Sequence, residues 1–386
     1  MCSHGNYMRS NTMADYFGKD VFKLGFGLMR LPKNPDGTID IPQVCEMADR
    51  FISAGGTYFD TAFVYGNGSS ESAFKTAVAD RYPRNAYKIA TKMIAWMQCS
   101  GEESAKQQFF TSLERTGAGY FDFYLLHGLM RTNYTKYDEY HLWDFVREQK
   151  EKGLIKHCGF SFHADPALLD EILSAHPEID FVQLQINYSD WENPGISSRE
   201  CWKIARKHGK SITVMEPLKG GALADPIPAV KDIFCEANPD APVVSWGIRY
   251  AASLDGVITV LSGMSSLAQM EQNLSFMRDF KPLNEEEKAV IRKVQDALNA
   301  DKSIPCTGCH YCTGGCPMNI PIPEIIAVAN RQHNNEGFRQ VREYNIATIG
   351  HGKASDCIRC GQCENACPQH LKIIDYLEQC AERFEK

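Results

Sequence analysis

The sequence predicts an α/β protein, a (β/α)8 TIM barrel followed by a small, mainly helical appendage. Three observations carry this. From about residue 22 to 278, short apolar, β-branched or aromatic runs alternate with longer amphipathic stretches, and Gly, Asp, Asn or Pro marks the junctions, as in repeated βα units. Eight such units occupy about 260 residues, the count and size of a closed eight-stranded barrel. Beyond them, CTGCHYCTGGCP at 306–317 and CIRCGQCENACP at 357–368 repeat one cysteine spacing between helix-like segments.

The strands are expected, in order, at FKLGFGLMR, TYFDTA, YKIATK, FDFYLLH, IKHCGFSF, FVQLQI, SITVMEPL and GVITVLSG, each rich in β-branched or aromatic residues. A doubly wound open sheet would carry a G-x-G-x-x-G turn after its first strand. The glycines of FDTAFVYGNGSSE have neither that pattern nor that place, so the barrel is favoured. KPLNEEEKAVIRKVQDALNADKS opens with Pro, an Asn cap and three Glu before apolar residues at helical spacing, which predicts a joining helix. PEIIAVANRQ, GFRQVREYNIA and IIDYLEQCAERF read as further helices. The divisions predicted are an N-terminal extension at 1–20, the barrel at 21–281, the joining helix at 282–303 and the helical domain at 304–386.

The 386 residues include 48 acidic and 41 basic side chains, for a formal net charge of -7 with no long run of either sign. That balance argues against nucleic acid or an anionic membrane as partner. No stretch approaches the roughly 20 apolar residues of a membrane span, and MCSHGNYMRSNTMADYFGKD lacks a signal peptide's apolar core, so a cytoplasmic location is expected. In such a compartment the fifteen cysteines are expected as reduced thiols. Eight fall into the repeated patterns, whereas Cys2, Cys45, Cys99, Cys158, Cys201, Cys235 and Cys380 are scattered and read as idle or buried.

In a barrel of this kind, functional residues sit at the carboxyl ends of strands and in the loops that follow. The second expected strand ends in Asp60 and is followed by Tyr65, the third ends in Lys92 and the fourth in His127. Singly, each has an ordinary reading as a cap, a snorkelling chain or a satisfied polar group. Together, an acid, a phenol, an amine and an imidazole on three adjacent strand ends suggest an acid-base relay, in which a Lys lowers the pKa of a Tyr and an Asp holds the Lys.

FDTAFVYGNGSSE, IATK and LLHGL resemble the signature segments of the aldo/keto reductase superfamily, and the resemblance covers about residues 20 to 280. It implies that Asp60, Tyr65, Lys92 and His127 form the catalytic tetrad. Tyr65 would protonate a carbonyl oxygen, Lys92 would make Tyr65 acidic enough, Asp60 would position Lys92 and His127 would orient the carbonyl. The implied reaction delivers hydride from a bound nicotinamide to the carbonyl carbon, with no metal required. By the same resemblance GFSFH places Ser161 and VQLQINY places Gln183 at carboxamide-binding positions, although the Asn that commonly follows the Ser is here Phe162. MEPLKGG supplies Glu216, Pro217, Leu218 and Lys219 to a loop over the pyrophosphate, and LSGMSSLAQMEQN puts Gly263, Ser265, Gln269 and Asn273 beside phosphate oxygens.

Members that prefer NADPH place a Lys and an Arg in this last segment, where Gly263 and Gln269 stand here. Without those charge-assisted contacts NADH competes with NADPH, unless Lys219 or Arg249 compensates. Trp96, Met97, Met130 and Trp191 are candidates for an apolar pocket wall, with ordinary barrel packing as the alternative.

Each cysteine motif reads C-x2-C-x2-C-x3-C-P, a spacing that sends three thiolates to one [4Fe-4S] cluster and the fourth to its neighbour. The crossed rule assigns Cys306, Cys309, Cys312 and Cys367 to one cluster and Cys357, Cys360, Cys363 and Cys316 to the other. Four-cysteine zinc sites usually pair two short C-x-x-C knuckles, so three ligands in seven residues suit a cubane better. This region resembles the two-cluster bacterial ferredoxins, in the α-helical form fused to larger oxidoreductases.

The expectation is an NAD(P)H-dependent reductase of an aldehyde or ketone, in an anaerobic or facultative cytoplasm, with two [4Fe-4S] clusters for electron transfer or structure. A cubane passes one electron at a time whereas a nicotinamide gives a hydride, and no flavin site is recognisable to convert between them. Two alternatives therefore stand: a redox-neutral elimination or epimerisation on tightly bound nicotinamide, and an electron-transfer or docking module without carbonyl turnover. A redox protein partner and a homo-oligomer are both open.

Overall fold

Runs rich in β-branched and aromatic residues, bounded by Gly, Pro and polar turns, become the eight strands of the computed structural model, which describes residues 17–299, 303–331 and 336–385. They are Leu24–Gly27 (β1), Tyr58–Asp60 (β2), Lys88–Met93 (β3), Phe121–Leu129 (β4), Ile155–Phe162 (β5), Phe181–Gln185 (β6), Ser211–Met215 (β7) and Val257–Ser262 (β8). All pair parallel in sequence order, and β1 closes on β8 through Leu24 opposite Val260 and Phe26 opposite Ser262. The expected barrel is therefore present. Cys2 and most of the expected N-terminal extension lie within residues 1–16, outside the described residues.

The first strand is shorter than the apolar run FKLGFGLMR suggests. Only Leu24–Gly27 enters the sheet, and Leu28–Arg30 coil into a single 3-10 turn. Aromatic packing fills the amino end of the barrel: the Phe17 ring stacks on His157 at 4.3 Å between centroids and lies 6.3 Å from Phe123, with Tyr58, Ala90, Phe181 and Ile258 buried beside them. Sealing this end leaves the carboxyl ends of the strands as the face where polar groups gather.

Two compact units divide the chain: Met1–Ile186, Arg199–Pro217 and Ile248–Pro282 form one, and Asn187–Ser198, Leu218–Gly247 and Leu283–Lys386 the other. The first contains all eight strands. In the second, helix Glu285–Asn299 packs on helix Pro228–Ala237, Phe234 stacks on Trp246 at 4.9 Å and Gln295 donates to the Tyr188 carbonyl at 2.8 Å. Its cysteine-rich part is built on helices Ile322–Asn330, Glu336–Ala347 and Ile373–Phe384, which bury Ile322, Ile325, Ile326, Tyr344, Ile373, Leu377 and Phe384 together. The Tyr344 hydroxyl accepts from Ala354 N–H at 2.8 Å and donates to Glu385, tying the chain's last helix to the segment before the second cysteine motif.

Gly159 on β5 shows how tightly the barrel wall is packed, because a Cβ there would stand 2.7 Å from the Phe181 carbonyl oxygen and 2.6 Å from its ring. Gly159→Val is expected to destabilise the barrel by about 2–3 kcal/mol through overpacking, read as a fall in the urea midpoint. An unchanged midpoint would contradict the packing described.

Candidate functional site

Parallel pairing in register brings the ends of β2, β3 and β4 side by side: Asp60 lies opposite Ala90, and Lys92 opposite Leu125. Lys92 and Asp60 are both buried, and the Lys92 Nζ donates to Asp60 Oδ1 at 2.6 Å and to the Thr61 carbonyl at 2.7 Å. Burial pushes the Asp60 carboxyl up from its ordinary range and the Lys92 amine down, while each opposes the other's shift by its charge. At this separation mutual attraction is what keeps both ionised.

Tyr65 begins the 3-10 turn Tyr65–Gly68, which bends sharply because Gly66 and Asn67 adopt left-handed φ of 56° and 54°. The half-buried Tyr65 ring is set with its centroid 5.3 Å from Lys92 Nζ. The His127 ring meets it edge to face at 5.6 Å. Burial first, then the Lys92 charge, holds the His127 imidazole well below its ordinary value of 6.5, so it is neutral near pH 7. The structure thus brings together the four polar residues that the strand ends suggested.

His127 is aimed by a break in the sheet. The β4–β5 register shifts between Leu126 and Leu129, and Gly128 inside the shift has φ 69°. The Ser161 hydroxyl accepts from Gly128 N–H at 2.7 Å, Asn133 Nδ2 donates to the Gly128 carbonyl at 3.0 Å, and the Tyr137 hydroxyl donates to the His127 carbonyl. Asn133 and Tyr137 escaped the sequence reading because nothing local marks a residue that bonds the backbone five or ten positions back. Trp96 lies beside this turn, 3.6 Å from where a Gly128 Cβ would stand, and Met130 is buried. Glu71 was also missed. It is fully buried, accepts from Thr91 Oγ1 at 2.7 Å and meets Arg115 at 3.5 Å.

The positions matched to nicotinamide contacts are placed as follows. Gln183 on β6 is buried, and its side-chain oxygen has no hydrogen-bond partner among the described residues, a feature that fits an amide ligand. Glu216 and Lys219 hold left-handed φ of 55° and 47° in the turn that also contains Pro217 and Leu218. Lys219 is bonded to the buried Asp190, which Asn187 also holds at 2.7 Å, so its charge is already met. Arg249 Nε donates to the Lys281 carbonyl. Ser265 and Gln269 bond each other at the start of helix Leu267–Met277, and Asn273 donates to Ser262 Oγ at 3.0 Å. Alongside Gly263 runs the Arg30 side chain, its Cβ 3.7 Å from where a Cβ of residue 263 would be. The sequence reading did not consider Arg30, because it belongs to the opposite end of the barrel's strand order.

The cysteines gather in two sets. Cys306, Cys309, Cys312 and Cys367 line one cavity, and Cys316, Cys357, Cys360 and Cys363 the other. This is the crossed grouping, with the fourth cysteine of each motif standing beside the first three of the other. Ile322 lines both cavities. Among the described residues no three of His, Cys, Asp and Glu are close enough to share a single ion, so the thiols ring a space rather than converge on a point. Elsewhere burial pushes the Cys158 and Cys201 thiols up to about 12, which leaves them inert at neutral pH.

Residues 23–296 match the aldo/keto reductase family, and residues 305–372 match the 4Fe-4S dicluster domain. Among relatives, an aldo-keto reductase of Mycolicibacterium vanbaalenii is 31% identical over 225 residues, 58% of this chain and 74% of that protein. Among solved structures, the aldo-keto reductase AKR11C1 from Bacillus halodurans in its holo form superposes with a TM-score of 0.57 at 25% identity, over 70% of this chain and 91% of that one. An aldo/keto reductase from Klebsiella pneumoniae in complex with NADP and acetate superposes with a TM-score of 0.59 over 71% of this chain and 92% of that one; at 19% identity this likeness bears on the fold alone.

A neutral buried His127 has a testable sign. Its folded pKa is depressed, so below pH 6.5 the unfolded chain takes up a proton that the folded one does not, and stability is lost as the pH is lowered there. His127→Gln is expected to flatten that part of the stability-pH curve, and the His127 ring signals in NMR should show no titration between pH 6 and 8. A midpoint near 6.5 would contradict the assignment.

From the matched residues, the chain belongs to the aldo/keto reductase family: it is an NAD(P)H-dependent oxidoreductase that carries a 4Fe-4S dicluster domain.

Proposed function

We propose that this protein reduces an aldehyde or ketone to the alcohol, with Tyr65 as proton donor. The observation that carries the reading is the buried Lys92–Asp60 pair 5.3 Å from the Tyr65 ring centroid, with neutral His127 at the ring's edge. When bound, the nicotinamide supplies the hydride for the carbonyl carbon. Tyr65 gives its hydroxyl proton to the carbonyl oxygen, and the Lys92 charge favours the phenolate left behind. Asp60 keeps Lys92 protonated against its burial. His127, being neutral, offers the oxygen an N–H without competing as a cation, and so orients the carbonyl.

Gln183 and Ser161 would hold the carboxamide. The unpartnered Gln183 oxygen supports this, and the Ser161 hydroxyl, which already accepts from Gly128, keeps its own proton to donate. A cation beside Gly263 bears on the choice of dinucleotide. Lys219 is bonded to Asp190; the Arg30 side chain, which runs beside Gly263, would meet a 2'-phosphate there, which favours NADPH over NADH. The two cysteine sets would each hold one [4Fe-4S] cluster, and their crossed grouping around two separate cavities supports two clusters.

Tyr65→Phe tests the reading directly. It is expected to lower kcat for aldehyde reduction by about 10²–10⁴-fold, with dinucleotide binding retained; unaltered turnover would remove Tyr65 as the donor. Arg30→Ala is expected to raise KM for NADPH several-fold more than KM for NADH, and an equal effect on the two would show that Arg30 does not read the 2'-phosphate.

A further inference from the structure

Between the barrel strands and the helices outside them lies an ion pair to which the four-residue site gives no part. Glu71, in helix Ser69–Phe74, is fully buried. It accepts from Thr91 Oγ1 at 2.7 Å, and Thr91 is the residue before Lys92 on β3. Side chains alternate along a strand, so Glu71 and Lys92 stand on opposite faces of β3. The other Glu71 oxygen meets Arg115 Nη1 at 3.5 Å, from helix Glu102–Thr116. A buried carboxylate is costly without a partner, which alone gives the cation a reason to be there. Its contacts go further. The same Nη1 donates to the Phe63 carbonyl at 3.3 Å, the guanidinium lies over the Phe63 ring at 4.6 Å, and a Cβ on Gly68 would stand 2.5 Å from its Cζ. One side chain thus spans both ends of the turn that carries Tyr65.

That turn needs fastening from outside. Gly66, Asn67 and Gly68 take left-handed φ of 56°, 54° and 90° in succession, a path that no ladder of strand bonds supports. The Phe63 N–H reaches the Lys92 carbonyl on β3 at 3.1 Å, whereas Tyr65 N–H bonds Ala62 at 3.0 Å and Asn67 N–H bonds Val64 at 3.2 Å, both within the segment itself. The separation between turn and strand matters, because the effect of the Lys92 charge on the Tyr65 hydroxyl falls with distance. Glu71 bears on the amine as well. Burial lowers the Lys92 pKa, Asp60 opposes that most, and the Glu71 charge adds to the effect of Asp60.

We infer that Arg115, anchored by Glu71, is a positioning residue for the proton donor: it clamps the turn from Phe63 to Gly68 and so fixes Tyr65 against Lys92. Arg115 acts through Tyr65 and not on the substrate. This inference rests on Tyr65 being the donor. The titratable groups that face Tyr65 are Lys92 from β3 and His127 from β4, with Asp60 of β2 bonded to Lys92. Without the clamp the turn draws back from Lys92 and the Tyr65 hydroxyl holds its proton more tightly. The alkaline limb of kcat, where the donor is lost by ionisation, then moves to higher pH.

The test follows NADPH oxidation by para-nitrobenzaldehyde across the neutral and alkaline range in the full chain, R115M, E71Q/R115M and Y65F, with a urea midpoint for each. R115M strands the Glu71 carboxylate and is expected to lower the midpoint. E71Q/R115M leaves no unpaired charge, and its Gln keeps an oxygen for Thr91, so most of the midpoint should return. For both variants the expected result is a kcat lower by about tenfold or more, a KM for NADPH within about twofold of the unmodified chain, and an alkaline limb displaced upward by about half a unit or more. Adding Y65F to E71Q/R115M should give turnover no lower than Y65F alone, because the clamp works through that hydroxyl. Recovery of kcat and of the alkaline limb along with the midpoint in E71Q/R115M would overturn the proposal, since the pair would then serve the fold alone. A further large loss on adding the clamp variants to Y65F would overturn it too. Unaltered turnover in Y65F would remove the donor assignment, and this inference with it, and is read independently of Arg115.

Discussion

The ion pair between Lys92 and Asp60 is the constraint on which the rest of the site depends. Burying an amine and a carboxylate costs several kcal/mol each, and only a close, well-oriented partner offsets it. The chain meets that condition by barrel closure. Asp60 ends β2 and Lys92 nears the end of β3, so parallel pairing in register delivers the two groups to one point at 2.6 Å. Once there, the pair holds a cation beside the Tyr65 ring and helps keep the neighbouring His127 neutral. The interaction thus opposes the effect of burial on its own two members and adds to the effect of burial on His127.

The second constraint is mechanical. A strand that simply continued would not present His127 and the following backbone as this one does. The register shift at Gly128, fastened by Ser161, Asn133 and Tyr137, places the imidazole edge-on to Tyr65. Ser161 is interesting in this respect, since one hydroxyl both secures the bulge and remains able to donate to a ligand. In the second unit the turn carrying Lys219 is similarly constrained: a Cβ on Gly220 would stand 2.3 Å from the Thr307 carbonyl oxygen, so the first cysteine loop packs directly on that turn.

Much of the barrel was legible in the sequence because parallel strands, buried on both faces, stand out as apolar, β-branched runs between amphipathic helices. Asp60, Lys92 and His127 were legible because each closes such a run, and the cysteines because their spacing repeats. What stayed hidden has a common cause. Glu71 meets Thr91 and Arg115, Asp190 meets Lys219, and Arg30 lies along Gly263; each pair is brought together by closure of the fold across a separation with no periodic signal. Arg30 was hidden further by a boundary: nine residues read as one strand, yet the last three form a 3-10 turn that redirects its side chain.

The most direct test of this account is a double-mutant cycle on the pair, with Asp60→Asn, Lys92→Met and the two combined, followed by urea unfolding and aldehyde turnover. Each single change strands one buried polar partner, and a loss of about 3–5 kcal/mol is predicted. The combined variant should recover a large part of that stability, because no unpaired charge remains, yet show no more turnover than either single variant. Single changes that cost less than about 1 kcal/mol, the range of an exposed pair, or a combined variant that regains turnover, would contradict the claim that this buried pair organises the site.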